Sequence, residues 1–495
     1  MVDKKPIYIT TTLPYVNADP HVGFAMEIIR ADALARYYRL AGHEVYFNTG
    51  TDEHGAKIYE AATNEGVDPE VYTDKLAERF RALAPALGLA ANIPGITFNF
   101  IRTTDKDHVA AAEEFWKKCE AKGDIYKKLY SVKYCVGCEL EKTDSELENG
   151  RCPIHPNREL EFREEENYFF RFSNYTEKLK KFYDDHPDFV IPDFRFNEMR
   201  AFVGRGLEDF SISRLKTKMP WGVPVPGDPD QVMYVWFDAL VNYVSAIGWP
   251  KDMAKFTKWW PVIQYCGKDN NRQQSAMWQA MLMSADLPNS EHIVINGFIN
   301  SAGGQKMSKS LGNVLNPFDV IDAFKDVTPF PDDVLRFVLL HDIPSFEDGD
   351  LTMESIKASY AAHLQNGLGN LTSRIMKMAT SYAVVYTDYP GDATVETQKS
   401  AVVSGACEQF DLHKAIGEIW SNGIGMLDAF IQREEPFKKI KTDPVRAKEN
   451  VAYLLNNLLS IAQALKPFLP RTAEEIGRLI RENKMPEKPL FARLP

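Results

Sequence analysis

The N-terminal part of the chain alternates between two kinds of apolar pattern. Residues 7–12 are a β-branched run of the kind that forms a buried strand. After the loop LPYVNADPHVG, the stretch FAMEIIRADALARYYRLAG has the spacing of a helix that Gly42 can end. Residues 43–52 form the next predicted strand. A strand, a helix and a strand within about 45 residues predict a βαβ unit and a parallel sheet.

The same alternation returns further along the chain. Residues 262–269 and 293–298 predict two more strands, and residues 275–285 between them have helical spacing. Residues 117–230 differ, because they contain paired cysteines, an acidic run and many prolines and glycines. The pattern therefore predicts an α/β fold in which an insertion splits a parallel sheet domain.

Beyond about residue 350 the pattern becomes helical. Apolar residues recur at spacings of three, four and seven, typical of a long amphipathic helix; they are Ile356, Tyr360, Leu364, Leu371, Ile375, Met378 and Tyr382. Near the end, Thr472 and Glu475 have capping-box spacing, which predicts that the last helix opens there, after Pro467 and Pro470. The C-terminal part is expected to be all-α.

Composition narrows the class of protein. A chain of 495 residues is longer than a single hydrophobic core usually supports, so about two to four domains are expected. The sequence contains no run of roughly eighteen apolar residues and no signal-peptide core, which favours a cytoplasmic protein without a membrane span. Six cysteines in so long a chain do not indicate a disulfide scaffold. The net charge of −11 argues against non-specific wrapping of nucleic acid, but not against a structured RNA held by local basic patches.

Polar or small residues stand at the carboxyl ends of the four predicted strands, where open parallel sheets bind ligands. These ends are residues 13–15, 50–52, 267–269 and 296–297. Asp52 can pair with an ammonium group, and the aromatic residues Tyr15, Trp236 and Tyr243 can surround a thin apolar or sulfur-containing side chain. This predicts a pocket for a small zwitterion. The alternative is that residues 232–248 are a buried strand running into a helix, with most aromatics in the core.

A second group of residues suits a polyphosphate. His21 and Gly23 lie at the start of the first helix, where backbone N–H groups receive phosphates. In GGQKMSKSLGN, Lys306, Ser308 and Lys309 stand between glycines, so this loop can close over ATP and stabilise developing negative charge. The alternatives are a His21 that only caps the helix and a loop that is only a solvated basic segment.

The strongest local signal is a metal site. Cys135 and Cys138 form one pair, and Cys152 and His155 form another, with thirteen residues between the pairs. Three thiolates and one imidazole complete a tetrahedral zinc shell without an open position, which predicts a structural zinc and not a catalytic one. Unrelated free cysteines are the alternative.

Two features in the helical part suit RNA. Asn366, Asn370 and Arg374 are spaced by four, and amide and guanidinium groups read base edges well. Phe437 lies beside lysines and can stack on a base. The alternatives are a solvated helix face and an aromatic ring that covers a helix end.

Taken together, these motifs resemble the methionyl-tRNA synthetases of class I. LPYVNADPHVG corresponds to the family's HIGH region, and KMSKS at 306–310 is intact. The segments TGTDEHG, EENYFFR, VPVPGDP, VWFDAL, KMSKSLGNV, GNLTSR and KPFLP occur in family order over essentially the whole chain. The resemblance implies a Rossmann-type sheet domain split by a zinc-knuckle insertion, followed by an all-α anticodon-binding domain. The implied boundaries are 1–116 and 231–325 for the two halves of the Rossmann domain, 117–230 for the connective-peptide insertion, 326–355 for a stem-contact linker and 356–495 for the anticodon-binding domain.

The resemblance also implies the reaction. Methionine attacks the α-phosphate of ATP with Mg²⁺ assisting, pyrophosphate leaves, and the adenylate passes methionine to tRNA(Met). His21, Lys306, Ser308 and Lys309 are implied to act in adenylation, with one structural zinc at Cys135, Cys138, Cys152 and His155. The implied ATP and adenylate contacts are Gly23, Phe24, Gly267, Asp269 and Asn296. The implied methionine contacts are Leu13, Tyr15, Asp52, Trp236, Ala239, Tyr243 and Gln274, and the implied anticodon contacts are Asn370, Arg374 and Phe437.

The chain departs from the family pattern at several of these positions. Phe24 replaces the second histidine of HIGH, and Gln273 and Gln274 replace a phenylalanine and a histidine of the methionine pocket. Asn296 replaces a common histidine, and Phe437 replaces a stacking tryptophan. Two alternatives to a methionine–tRNA ligase therefore remain: a tRNA-binding protein impaired in catalysis, and a class I synthetase for another amino acid. A monomer is expected, because the chain stops where the family core ends.

Overall fold

The computed structural model of the chain describes residues 4–17, 19–137, 140–142, 147–307, 313–386 and 393–494. The N-terminal part supplies three strands of a sheet and the helices that connect them. Its elements are β1 (Ile7–Thr10), α1 (Val22–Leu40), β2 (Val45–Thr51), α2 (Ala56–Glu65), α3 (Pro69–Arg81), α4 (Leu83–Ala86), β3 (Ile96–Arg102) and α5 (Lys106–Ala121).

The middle of the chain is built mainly from short strands. Its elements are β4 (Ile125–Cys135), β5 (Leu140–Lys142), β6 (Glu161–Phe170), α6 (Thr176–Asp185), β7 (Val190–Ile191), α7 (Asp193–Gly204), β8 (Phe210–Ser211), β9 (Ser213–Leu215), β10 (Pro224–Val225) and β11 (Asp228–Met233). Strands β5, β4, β6 and β8 form one antiparallel sheet, and β10, β11 and β9 form another.

The chain then returns to the first sheet. The elements are α8 (Val235–Leu240), α9 (Asn242–Ser245), α10 (Met253–Trp259), β12 (Val262–Gly267), a π-helical turn (Gln273–Met277), α11 (Trp278–Ser284), β13 (His292–Asn296), β14 (Ile299–Ser301) and β15 (Gln305–Lys306).

The remainder is helical apart from one short strand. The elements are α12 (Pro317–Asp322), α13 (Pro331–His341), β16 (Gly349–Asp350), α14 (Met353–Ser359), a π-helical segment (Tyr360–Gly369), α15 (Asn370–Ser381), α16 (Ala393–Glu408), α17 (Leu412–Glu418), a second π-helical segment (Ile419–Ile424), α18 (Gly425–Glu434), α19 (Pro436–Lys439), α20 (Pro444–Leu465) and α21 (Pro470–Glu482).

The central sheet has six parallel strands in the order β3-β2-β1-β12-β13-β7. Tyr8 of β1 lies opposite both Tyr46 of β2 and Val262 of β12. The chain therefore builds outward from β1 in two directions, and the crevice where ligands bind in such sheets lies between β1 and β12. The predicted α/β class and parallel pairing are confirmed.

Both faces of the sheet are covered. Ile7 and Ile9 of β1 belong to one apolar core, which continues into the C-terminal helices, and Tyr8 belongs to a second core with the middle of the chain. This alternation follows the two-residue period of a strand. The edge strand β7 lies within the range predicted for the insertion, so that range also contributes to the main sheet.

The predicted capping box of the last helix is wrong. Helix α21 begins two residues earlier, at Pro470, and Thr472 already lies inside its first turn. The backbone N–H of Thr472 donates to Asp333 of α13 at 2.6 Å. A distant carboxylate thus caps this helix, and proline fits its first position because it has no N–H to satisfy.

Within the described ranges, none of the helices combines the length and the apolar character that crossing a membrane requires.

Candidate active site and metal site

A cavity of about 840 Å³ lies at the carboxyl ends of β1, β2, β12 and β13. Its walls include predicted residues from five separate segments of the sequence. These are Leu13, Tyr15, His21, Gly23, Phe24, Asp52, Trp236, Ala239, Tyr243, Gly267, Asp269, Gln274 and Asn296, with Gln273 beside them. The structure therefore brings the predicted methionine and nucleotide residues to one site.

Asp52 is a buried acid of this cavity. Its backbone pairs with the segment after β1, where the Asp52 N–H donates to the carbonyl of Pro14 at 2.9 Å. Its Oδ1 atom is buried and has no hydrogen-bond partner among the described residues. Burial holds the pKa of Asp52 well above its ordinary value, and the negative charge of Asp238 raises it further. An ammonium group in the cavity would relieve both effects.

Asp238 itself is buried between two histidines. His54 contacts one carboxylate oxygen at 2.6 Å and His108 contacts the other at 2.9 Å. Burial raises the pKa of Asp238, but the two histidines outweigh it and lower the pKa to about 2. Asp238 therefore stays charged and contributes a fixed negative field next to Asp52.

His21 is the N-cap residue of α1. Its Nδ1 accepts a hydrogen bond from the Gly23 N–H at 3.1 Å, which is the capping role that the sequence left open as an alternative. Because Nδ1 is an acceptor, the neutral ring carries its proton on Nε2 and can donate from there. A Cβ atom at Gly23 would lie 2.9 Å from the imidazole, so this close approach requires glycine.

The residues on both sides of positions 308–313 in the GGQKMSKSLGN segment, residues 303–313, reach the same cavity. Met307 on one side and Val314 on the other line its wall. The Val22 N–H, at the start of α1, donates to the carbonyl of Leu315 at 3.0 Å, which holds the second flank next to His21. Ser308 and Lys309 lie outside the described residues, as does the side chain of Lys306.

Glu27 is a further residue of the cavity that was not predicted from the sequence. This carboxyl lines the cavity and accepts from the Thr12 N–H at 2.7 Å and the Thr12 hydroxyl at 2.6 Å. Burial raises its pKa to about 8, more than the Thr12 contacts lower it, so the group is mostly neutral at pH 7. Glu27 follows Gly23 by four residues, and the shared helix face was the signal that could have identified it.

Asn296 has one amide atom unpaired in the same cavity. Arg30 donates to Asn296 Oδ1 at 2.8 Å, and a guanidinium can only donate, so the other amide atom must be Nδ2. This Nδ2 is buried and has no partner in the described part of the chain. A neutral donor thus faces the site at a position predicted to contact the adenylate.

The residues predicted to contact an anticodon lie on the helical part. Asn370 is exposed at the start of α15, and Arg374 of the same helix forms an ion pair with Asp428. Asn366 lies in the π-helical segment before α15, where the spacing of an α-helix does not apply. Phe437 of α19 is 45% exposed, as stacking on a base requires.

Three of the four predicted metal ligands converge. The ligand atoms of Cys135, Cys152 and His155 lie within 4.8 Å of one another, and Cys138 lies outside the described residues. His155 Nδ1 is 3.8 Å from Cys135 Sγ and 4.0 Å from Cys152 Sγ. A tetrahedral zinc with Zn–S of about 2.3 Å and Zn–N of about 2.0 Å places such atoms about 3.6 Å apart. The donor set therefore fits zinc.

Gly137 completes the cradle of this metal site. A Cβ atom at Gly137 would lie 2.6 Å from the imidazole of His155. A side chain at this position would displace the imidazole of His155, one of the three ligand groups that converge here.

Comparison with known protein families agrees with this geometry. The family described as tRNA synthetases class I (M) matches residues 7–158 and 141–376. The family described as the anticodon binding domain of methionyl tRNA ligase matches residues 394–489. The chain belongs to the methionyl-tRNA synthetases. The expected fold class and enzyme class, a class I methionine–tRNA ligase that uses ATP, are thereby confirmed.

Individual methionyl-tRNA synthetases resemble the chain over most of its length. The methionine–tRNA ligase of Thermosynechococcus vestitus is 39% identical over 96% of this chain and 90% of its own. That of Thermotoga maritima is 38% identical over 97% of this chain and 76% of its own. The Mycobacterium tuberculosis methionyl-tRNA synthetase in complex with methionyl-adenylate superimposes with a TM-score of 0.87 at 33% identity, over 99% of this chain and 100% of that one.

Proposed function

We propose that the chain forms methionyl-adenylate from L-methionine and ATP in the cavity between β1 and β12, and transfers methionine to tRNA(Met). The observation that carries this proposal is the unpaired Oδ1 of Asp52, buried in the same cavity that His21 and the start of α1 enter. One end of the cavity thus suits an ammonium group and the other suits phosphates.

In the amino-acid half of the cavity, Asp52 binds the ammonium group of methionine. Leu13, Tyr15, Trp236, Ala239, Tyr243 and Gln274 surround its side chain. Trp236 is 40% exposed in the described structure, so it can still close over a bound substrate. With the ammonium held, the methionine carboxylate lies free to attack the α-phosphate.

In the nucleotide half, His21 donates from Nε2 to phosphate oxygens as negative charge develops there. Gly23, Phe24, Gly267, Asp269 and Asn296 contact ATP or the adenylate. Lys306, Ser308 and Lys309 approach the phosphates from a loop whose two flanks already line the cavity. Mg²⁺ bound with ATP would neutralise charge on the polyphosphate. Positive groups placed in this way stabilise the transition state more than the bound substrate.

The remaining assignments concern parts outside the cavity. One zinc, held by Cys135, Cys138, Cys152 and His155, stabilises the insertion and takes no part in the chemistry. Asn370, Arg374 and Phe437 read the anticodon of tRNA(Met). The boundaries proposed from the resemblance are kept, with β7 of the insertion range joining the main sheet.

Exchange of labelled pyrophosphate into ATP tests the proposal, because only an enzyme that forms an adenylate supports it. We expect exchange that depends on methionine and that falls by at least about tenfold in Lys309→Met, since this lysine acts in the transition state. Exchange with another amino acid instead would reassign the substrate. Absence of exchange with every amino acid would favour a tRNA-binding protein impaired in catalysis by Phe24, Gln273 and Gln274.

A further inference from the structure

A buried arginine lies behind the wall of the cavity. Arg30 belongs to α1 and is 2% exposed. Its Nη1 atom donates to Asn296 Oδ1 and to the carbonyl of Ser345, both at 2.8 Å. Its Nη2 atom donates to the carbonyl of Ile343 at 3.1 Å and to that of Pro344 at 2.8 Å. Burial lowers the pKa of Arg30 to about 10, so the guanidinium stays charged at pH 7 and can only donate.

The segment that supplies these three carbonyls is attached to the sheet. The Phe298 N–H, just after β13, donates to Asp348 Oδ1 at 3.0 Å, and the Gly349 N–H donates to the carbonyl of Phe298 at 3.0 Å. Asp348 also pairs with Lys268, just after β12, at 2.7 Å. The carbonyls that bind Arg30 are therefore held in place by contacts that do not include Arg30.

The same segment is attached to the C-terminal helices. Ser345 Oγ donates to Asp411 Oδ1 at 2.9 Å and accepts from the His413 N–H at 3.1 Å. Asp411 is the N-cap residue of α17, where it also accepts from the Lys414 N–H. Because three backbone carbonyls fix the guanidinium without Asn296, Arg30 orients Asn296 and not the reverse.

The contact with Arg30 gives the Asn296 amide one direction. Asn296 is 2% exposed, and an amide has one acceptor end and one donor end. Since Arg30 occupies Oδ1, the donor Nδ2 is the end that remains, and it is buried without a partner among the described residues. Asn296 lines the cavity and Arg30 does not. The acceptor for Nδ2 must therefore come from the ligand or its solvent.

The order of the strands indicates which part of the ligand meets this donor. Asp52 follows β2 and Asn296 ends β13, three strands away, so roughly 14 Å separate the two strand ends. His21 and the start of α1 follow β1, which lies between them. In an adenylate the phosphate joins the amino acid to the nucleoside. With the ammonium group at Asp52 and the phosphates at His21, the nucleoside lies towards Asn296.

We propose that Arg30 is a positioning residue for the nucleoside of ATP, because it holds the Asn296 amide with Nδ2 towards the cavity as a donor to an uncharged acceptor atom of the nucleoside. This inference rests on the proposed function and adds a residue to it. Arg30 then acts on ATP affinity without touching ATP, and methionine and pyrophosphate bind independently of it.

Michaelis constants in pyrophosphate exchange test the inference. Arg30→Met frees the Asn296 amide to turn, so it should raise KM for ATP about three- to tenfold. KM for methionine and for pyrophosphate should stay within about twofold of the parent, because Asp52 and His21 are unchanged. Arg39→Met is the matched control on the same helix, where Nε donates to the carbonyl of Pro94, away from the cavity; it should leave all three constants within about twofold.

Two further variants separate positioning from a merely structural role. Asn296→Asp keeps an acceptor for Arg30 but loses the donor, so it should raise KM for ATP by the same factor as Arg30→Met without lowering Tm. Arg30→Met combined with Asn296→Ala should raise KM for ATP no further than Asn296→Ala alone, because both changes remove one interaction.

A KM does not depend on the concentration of active enzyme, so partial unfolding of Arg30→Met does not alter it. A KM for ATP within twofold of the parent in Arg30→Met would overturn the inference. Equal rises in all three constants would also overturn it, as would multiplying losses in the double variant. If the parent protein shows no exchange with any amino acid, the proposed function fails. The inference is then tested separately by calorimetry, as the dissociation constant of ATP in the same variants.

Discussion

At the scale of single residues, Asp52 is a buried carboxyl whose charge changes when its partner arrives. Burial and Asp238 raise its pKa in the ligand-free protein, which favours the protonated form. An ammonium group beside Oδ1 favours the carboxylate, so binding must lower this pKa and release a proton. Methionine affinity should therefore rise as pH rises towards the raised pKa, and calorimetry in buffers of different ionisation enthalpy should show net proton release.

The variant Asp52→Asn tests this coupling. It should weaken methionine binding about 10- to 100-fold and abolish the proton release, because the amide cannot become charged. Asp185→Asn is the control, since Asp185 is an exposed carboxyl of α6 that pairs only with Lys181 in the described structure. If the heat of methionine binding to the parent protein is the same in every buffer, then Asp52 is already ionised before methionine binds.

The sequence predicted the residues that line the cavity better than it predicted the polar residues that lie behind them. Asp52 was identifiable because it follows a strand directly, where a parallel sheet places its ligands. Glu27 and Gln264 were missed, since each lies inside a segment that reads as the apolar interior of a helix or strand. Periodicity shows which face of an element is buried, but a polar group on that face is explained only by partners from elsewhere in the chain, such as Thr12 and Ser290.

At the scale of elements, we expect the insertion to depend on its proposed metal ligands for its stability. The purified protein should contain about one zinc per chain, and Cys152→Ala should lose it, because a tetrahedral structural site needs all four ligands. Cys407→Ala is the control, as Cys407 is a buried cysteine far from the cluster in sequence. Gly137→Ala should also lower zinc content, since its Cβ would collide with His155. A zinc-free preparation that is fully folded would rule out the structural role.

Element boundaries were the weaker part of the prediction. Four of the six strands of the central sheet, β1, β2, β12 and β13, were recognisable from continuous apolar runs, whereas β3 and β7 were not predicted. The start of α21 was not, because Asp333 supplies its cap from another helix and no local pattern records that contact. The π-helical turn that carries Gln274 into the cavity was equally invisible, since a segment as short as Gln273–Met277 is too short to show in its apolar pattern which helical period it follows.

At the scale of the whole molecule, the sheet and the C-terminal helices share buried charges as well as a core. Arg336 of α13 and Asp32 of α1 are both fully buried and lie 2.7 Å apart. Arg336 also donates to the carbonyl of Phe468 at 2.7 Å and to that of Pro467 at 3.0 Å, just before α21. Burial raises the pKa of Asp32, but Arg36 and Arg336 outweigh it and hold the pKa below its ordinary value. One guanidinium thus joins the two halves of the molecule.

Replacing the Arg336 guanidinium should lower the free energy of unfolding much more than replacing an exposed guanidinium does. Arg336→Met removes the donor to three carbonyls and leaves Arg36 as the one charged partner of Asp32 among the described residues, so we expect a loss of about 3–5 kcal/mol in the free energy of unfolding. Arg478→Met is the matched control on α21, where the side chain is 44% exposed and pairs with Glu475 and Glu482; its loss should stay below about 1 kcal/mol. Urea unfolding followed by circular dichroism measures both.

Because Arg336 bridges the sheet to the segment before α21, its loss should also separate the unfolding of the C-terminal helices from that of the sheet. Equal stability of the two variants would mean that the shared apolar core alone holds the halves together.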